Sequence, residues 1–107
     1  MSSKRKLLVT RNDNARLIEL HLRDRMEVRL PESQISGYMW QVKEKDCPQI
    51  RLEDSEYMER GAARFTGLGE RSWYFSCMAT GRCRLTFYLI RPWSKPSPEF
   101  YVDLYIE

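Results

Sequence analysis

The chain has 107 residues, enough for one domain with a single hydrophobic core and too few for two. Hydrophobic residues are 42% and charged residues 31%, which argues against a disordered chain, and no apolar run approaches the roughly 20 residues of a membrane-spanning helix. Eighteen Lys and Arg against 15 Asp and Glu give a net charge of +3 with both signs mixed along the chain, which argues against a nucleic-acid partner. We therefore expect a single monomeric domain over residues 1–107 that binds neither nucleic acid nor membranes.

The amino-terminal residues begin in the manner of a signal peptide, with Lys4, Arg5 and Lys6 before a short apolar run. The polar residues 10–14 interrupt that run before it could direct export. We expect residues 1–14 to form a flexible segment and the protein, as its sequence stands, to be cytoplasmic. A periplasmic or secreted location is expected instead if a leader has been removed.

Further along the chain, apolar and polar residues alternate, and this period of two predicts strands with one buried face. The alternating apolar positions are Leu20, Leu22, Met26, Val28 and Leu30; Tyr38, Trp40 and Val42; Trp73, Phe75 and Cys77; Cys83, Leu85, Phe87 and Leu89; and Phe100, Val102, Leu104 and Ile106. Turn-forming residues separate these runs at 23–24, 31–33, 45–48, 67–69, 80–81 and 92–98. Residues 55–63 are interpreted as a strand or an irregular connection. The spacing of the strands predicts an all-β sandwich.

The three cysteines, Cys47, Cys77 and Cys83, cannot all pair within the chain, so reduced thiols are the expected state. Cys77 and Cys83 flank Thr80-Gly81 and would lie opposite each other across a hairpin with a three-residue loop, but not across one with a two-residue loop. A disulfide between Cys77 and Cys83 is therefore the less favoured alternative.

The residue patterns of common enzymes and metal sites are missing from the sequence. His21 is the single histidine; it falls in an alternating strand pattern, which predicts an exposed side chain without a nucleophile beside it. The three cysteines lack the paired spacing of zinc ligands. The acidic residues 44–46 and 53–56 are interpreted as solvated connections, and Gly67-Leu68-Gly69 lacks the lysine of a phosphate loop. We expect molecular recognition, with no enzymatic activity, catalytic residue, metal or cofactor.

Three segments between predicted strands carry features that packing does not require; they span residues 31–40, 66–73 and 90–98. Gly37 lies just before an aromatic strand and allows a sharp turn or a close approach to a partner. Gly67 and Gly69 make the second segment slim. Pro92 ends strand pairing, so Trp93 is expected to project from the end of its strand.

These features, in this order and spacing, resemble the chagasin family of papain-like cysteine protease inhibitors. The resemblance covers about residues 15–107, and its most specific parts are Gly37-Tyr38-Met39-Trp40 and Leu89-Ile90-Arg91-Pro92-Trp93. It implies an immunoglobulin-like β-sandwich of about seven to eight strands. It also implies a reversible inhibitor that inserts three adjacent loops into the active-site cleft of the protease.

The resemblance assigns protease-binding roles to residues of all three loops. The first loop normally reads Asn-Pro-Thr-Thr-Gly and approaches the catalytic Cys and His; here it reads Ser33-Gln34-Ile35-Ser36-Gly37. The second normally reads Gly-x-Gly-Gly, and here Glu70 takes the place of the last glycine. The third loop is intact, and its aromatic residue packs on the primed side of the cleft in the family. The implied protease-binding residues are Ser33, Gln34, Ile35, Ser36, Gly37, Thr66, Gly67, Leu68, Gly69, Glu70, Arg91, Pro92 and Trp93.

Some aromatic and charged residues also have structural interpretations. Trp40 and Trp73 lie in alternating strands and are expected in the core. Trp93 is expected to be an exposed contact, because it lies beyond the strand. Arg91 is interpreted as a structural residue slightly ahead of a direct contact.

Two other functions remain as alternatives. An immunoglobulin-like protein-interaction module that has lost inhibition is favoured by the altered first loop. A nucleic-acid binder would use Tyr74, Phe75, Phe87 and Tyr88, but these aromatics alternate between both faces of their strands.

Overall fold

The computed structural model describes residues 5–33, 37–59 and 68–107. Over these ranges the chain forms eight strands and two short 3-10 helices, the latter at Arg11–Asp13 and Glu44–Asp46. The strands are β1 (Lys6–Thr10), β2 (Leu17–Leu20), β3 (Arg25–Ser33), β4 (Met39–Val42), β5 (Ile50–Glu59), β6 (Leu68–Cys77), β7 (Gly81–Arg91) and β8 (Ser94–Ile106). No helix in the described ranges is long and apolar enough to cross a membrane.

The strands form two four-stranded sheets, with the orders β1-β3-β6-β5 and β2-β8-β7-β4. The β1–β3 and β2–β8 pairs are parallel, and the remaining pairs are antiparallel. Their inward-facing side chains form one core between the sheets. The predicted all-β sandwich is therefore confirmed.

The core largely follows the predicted alternation, because successive side chains of a strand point to opposite faces of its sheet. The prediction is wrong for Leu22 and Tyr38, which lie outside the strands and are exposed. Trp73 is only 4% exposed, and its ring centroid lies 4.8 Å from that of Phe87. Phe87 in turn contacts Phe100 with ring centroids 5.7 Å apart. The prediction that Trp73 belongs to the core is confirmed, whereas Trp40 is half-buried and packs against the edge of the core. Burial of each large apolar side chain contributes about 1.5–3 kcal/mol to stability.

The cysteines differ from both sequence interpretations. Cys47 and Cys83 form a disulfide with their Cα atoms 5.1 Å apart, while Cys77 is a free, buried thiol. The predicted reduced state is wrong for the first two, and the alternative pairing of Cys77 with Cys83 is also wrong. Cys77 ends β6 and Cys83 lies in β7, and these strands belong to different sheets, so they do not form the hairpin that the pairing required.

Part of the amino-terminal segment is ordered. Lys6–Thr10 pairs with β3 as a parallel strand, and Val9 is buried in the core. The expectation of a flexible segment over residues 1–14 is therefore wrong for these residues. His21 lies in the turn after β2 rather than within a strand, where its carbonyl accepts a hydrogen bond from the Asp24 amide.

Several predicted turns are strand in the structure. Residues 31–33 end β3, Leu68 and Gly69 begin β6, and residues 94–98 begin β8. The acidic residues 53–56 lie in β5, where a register shift between Leu52 and Asp54 interrupts the pairing with β6. Residues 55–59 of the segment 55–63 are strand, and the rest lies outside the described residues. The turn prediction is wrong at these residues because the long antiparallel strand pairs continue past them.

Candidate functional site

The three segments singled out in the sequence connect strands at one end of the sandwich. Ser33 pairs with Leu68, so the β3–β4 and β5–β6 connections leave the first sheet side by side. Met39 pairs with Ile90 next to the β7–β8 turn, so the β3–β4 connection also lies beside that turn in the second sheet. We call this end of the molecule the loop end, and its β3–β4, β5–β6 and β7–β8 connections the first, second and third loops.

The residues assigned to the first and second loops are only partly described. Ser33 ends β3 and Gly37 is exposed in the turn before β4, whereas Gln34, Ile35 and Ser36 lie outside the described residues. Thr66 and Gly67 also lie outside them.

In the second loop, the structure moves the boundary between loop and strand. Leu68, Gly69 and Glu70 belong to β6, and Glu70 pairs with both Pro31 and Met58. Their assignment to a loop is therefore wrong, because β6 pairs with β3 from Leu68 and with both β3 and β5 from Gly69. Their assignment as protease contacts remains a prediction.

The third loop is a two-residue turn between paired residues, Arg91 and Ser94. Pro92 and Trp93 form the turn, and the Trp93 side chain is 70% exposed. Trp93 thus projects beyond its strand, as predicted, and it is the most exposed large apolar side chain in the described part of the chain.

The first and third loops touch each other. The Tyr38 and Trp93 rings form an edge-to-face pair with centroids 6.4 Å apart. The guanidinium carbon of Arg91 lies 5.3 Å from the Tyr38 ring centroid, a cation–π distance. An aromatic and cationic surface therefore spans the two loops.

Glu32 is a residue of this region whose role the sequence analysis missed. The turn predicted at residues 31–33 includes Glu32, but in the structure Glu32 is buried. Its carboxylate accepts hydrogen bonds from the Trp40 backbone N–H at 3.1 Å and from Arg71 Nε at 3.0 Å. The Trp40 indole also donates to the Pro31 carbonyl at 2.7 Å. The available signal was the alternation itself, since Glu32 follows Leu30 by two residues and shares its inward face.

Gly69 is needed for space rather than for backbone conformation. A Cβ at this position would meet the Met58 carbonyl and would lie 2.7 Å from Cζ of Tyr57. The Tyr57 ring thus crosses β6 where only glycine leaves room. Partial burial, followed by the nearby carboxylates of Glu59 and Glu32, raises the pKa of Tyr57 and keeps its hydroxyl protonated.

A cavity of about 620 Å³ opens at the loop end, and the residues lining it include Glu32, Ser33, Tyr38, Trp40 and Arg91. In the described ranges, no group of three or more His, Cys, Asp or Glu side chains is arranged to hold a metal ion. The described part of this end therefore combines an exposed aromatic residue, held by its neighbours, with an adjacent cavity.

Comparison with known proteins identifies the family of this chain. The model of the Chagasin family peptidase inhibitor I42 matches residues 19–106. The chain belongs to the chagasin family. The resemblance inferred from the three motifs is confirmed, and no curated protein matches the chain in a direct sequence search.

Solved structures of related fold agree with this assignment. The cysteine protease inhibitor EhICP2 from Entamoeba histolytica has a TM-score of 0.84 at 14% identity over 100% of both chains. Amebosin has a TM-score of 0.73 at 17% identity, with 98% of this chain and 100% of amebosin covered. PbICP-C, solved in complex with falcipain-2, has a TM-score of 0.51 at 14% identity, with 97% and 91% covered. The likeness confirms the chagasin-type immunoglobulin-like sandwich.

Proposed function

We propose that this protein is a reversible inhibitor of papain-like cysteine proteases and is not itself an enzyme. Its membership of a peptidase inhibitor family supports the proposal, as does the likeness to a cysteine protease inhibitor and to a chain solved with falcipain-2. The observation that carries it is the exposed Trp93, held against Tyr38 at the loop end of the sandwich.

The mechanism is occupation of the active-site cleft rather than chemistry on the protease. The first loop approaches the catalytic residues of the protease. Trp93 packs at one side of the active-site cleft, and the occupied cleft excludes substrate. Because the contacts of Tyr38 with Arg91 and Trp93 are formed before binding, little side-chain ordering opposes association. Large aromatic side chains of this kind supply much of the binding energy of protein interfaces.

The described residues of the loop end include no histidine that could serve as a general base. His21, the single histidine, lies in the β2–β3 turn at the opposite end, where its ring faces Asp24 and Glu107. Arg25 at the start of β3 pairs with Ser76, and Ser33 at its end pairs with Leu68, which places that turn a full strand length from the loops. Without a base beside a nucleophile, cleavage of a bound chain is not expected.

A steady-state inhibition assay with papain and a cathepsin L-type enzyme tests the proposal. We expect inhibition at micromolar protein or below that is competitive with a peptide substrate and reversed by dilution, with the inhibitor chain intact by mass spectrometry. Trypsin, which has a serine nucleophile and a different cleft, is the control and should stay active. If several papain-like enzymes remain fully active, the protein-interaction module becomes the better interpretation.

A further inference from the structure

Glu32 is a carboxylate held almost completely inside the protein. Its side chain is 2% exposed, and it lies on the inward face of β3 where the two sheets open toward the loops. An ion in such a place is costly unless it is paired and hydrogen bonded. The contacts of the Glu32 carboxylate must therefore offset the cost of its burial.

The carboxylate connects the two sheets. One oxygen accepts the backbone N–H of Trp40 in β4, and the other accepts Arg71 Nε in β6. Because Glu32 is the residue before Ser33 and Trp40 follows Met39, these bonds join the strand that enters the first loop to the strand that leaves it. The two ends of the first loop are thus fixed to each other through one side chain.

Arg71 extends the same contacts to the second loop. It pairs with Tyr57 of β5, and its guanidinium carbon lies 5.7 Å from the centroid of the Tyr57 ring. That ring crosses Gly69, near the start of β6. Since β5 and β6 carry the two ends of the second loop, the position of Arg71 bears on both loops.

We infer that Glu32 is a positioning residue of the inhibitor, which sets the first and second loops relative to each other before a protease binds. The inference rests on the proposed function for its effect on inhibition, but the contacts can be tested without any protease. Glu32 touches no target in this view; it acts by reducing the conformational ordering that binding requires.

The same strand offers a matched control in Glu27. Its side chain is 5% exposed, it bonds Arg29 at 2.7 Å and Ser72 at 2.9 Å, and Lys6 lies at 3.4 Å. Five residues along a strand separate it from Glu32, a distance of about 17 Å, so it lies away from the loops. Loss of this ion pair perturbs the same sheet without touching the loop end.

The experiment compares two double variants, Glu32→Met with Arg71→Met and Glu27→Met with Arg29→Met. Replacing both partners of each pair with apolar residues leaves no buried charge unpaired, and Lys6, the other partner of Glu27, is exposed, so both variants are expected to fold. Three quantities are measured for each: the melting temperature, the inhibition constant for papain and the hydrogen exchange rate of the Trp40 amide. Glu32→Gln provides a second test of the same contacts if the first double variant fails to fold.

In the Glu32 and Arg71 variant we expect the Trp40 amide proton to exchange faster and the inhibition constant for papain to rise about tenfold. A rise of this size corresponds to the cost of ordering one or two additional side chains on binding. The Glu27 and Arg29 variant should match the wild type in both the exchange rate of the Trp40 amide and the inhibition constant for papain. Unchanged amide exchange and inhibition in the first variant would overturn the inference, as would an equal loss in the control. If the wild type does not inhibit papain, the proposed function fails, while faster Trp40 exchange confined to the first variant still supports the positioning role.

Discussion

The backbone of Gly37 lies directly against the ring of Pro92. A Cβ at position 37 would be 3.3 Å from Pro92 Cγ, and Gly37 has a φ of +72° that side-chain-bearing residues seldom adopt. The first and third loops therefore meet at Gly37, a position that requires glycine on both steric and conformational grounds.

Substitution of Gly37 should disturb this contact between the loops. In Gly37→Ala we expect the inhibition constant for papain to rise about tenfold, because left-handed backbone costs alanine about 1–2 kcal/mol and the methyl group pushes against Pro92. Steady-state inhibition provides the measurement.

Gly81 is the matched control, with a φ of +131° and a position at the first residue of β7, at the opposite end of the sandwich. Gly81→Ala should lower the melting temperature but leave inhibition unchanged. A similar loss of inhibition in both variants would show that general destabilisation, rather than loop contact, is responsible.

Trp93→Ala should weaken protease binding by about 1–3 kcal/mol with little change in folding stability, as expected for an exposed aromatic anchor. Binding is measured by inhibition and stability by thermal unfolding. Trp73→Ala, at a buried tryptophan, should instead cost about 3–5 kcal/mol of stability. A large fall in melting temperature for Trp93→Ala would identify it as a structural residue.

The disulfide between Cys47 and Cys83 should stabilise the fold rather than the loops. It links residues 36 apart in the chain, so its removal is expected to cost roughly 4 kcal/mol through the greater entropy of the unfolded chain. Denaturant unfolding of wild type and of the Cys47→Ala with Cys83→Ala variant measures this cost. Equal unfolding midpoints with and without reductant, together with free thiols at both positions, would contradict the prediction.

Cys77 should make the protein less stable in alkaline solution. Burial and, to a lesser extent, the nearby Asp24 carboxylate raise the pKa of Cys77 from 9.0 to about 11, so the folded state holds a proton that the unfolded state releases. The stability that comes from the protonated, buried thiol is fully present below about pH 9 and is lost as the pH rises toward 11. The free energy of unfolding of the wild type should therefore fall more steeply than that of Cys77→Ala over this range. Parallel pH profiles would show that the thiol does not titrate differently in the two states.

The departures in the first loop should limit affinity for a generic papain-like enzyme. Replacing Ser33-Gln34-Ile35-Ser36 by the usual Asn-Pro-Thr-Thr adds a proline that restricts the free loop, so inhibition should tighten by about 1 kcal/mol or more. Glu70→Gly would not test the same idea in the second loop by itself, because Glu70 lies in a paired strand, where glycine also lowers stability. Flat or weaker inhibition by the folded loop variant would indicate that the native loop is adapted to another partner.

The sequence by itself determined which side chains of β7 and β8 face the core. Leu85, Phe87, Val102 and Leu104 alternate with polar residues, and all four are buried, since the two-residue period of a strand depends only on local geometry. The motifs around Gly37 and Trp93 likewise sufficed to name the family, because their order along the chain is a property of sequence.

Only the tertiary structure decided which strands lie together. Cys77 and Cys83 are close in sequence but fall in different sheets, so Cys83 pairs with Cys47 instead. Glu32 has the alternation of a core position and the composition of a turn, and its burial follows from partners on β4 and β6 that are 8 and 39 residues away. Periodicity specifies a face of a strand, whereas the neighbours across that face depend on long-range pairing that no local pattern encodes.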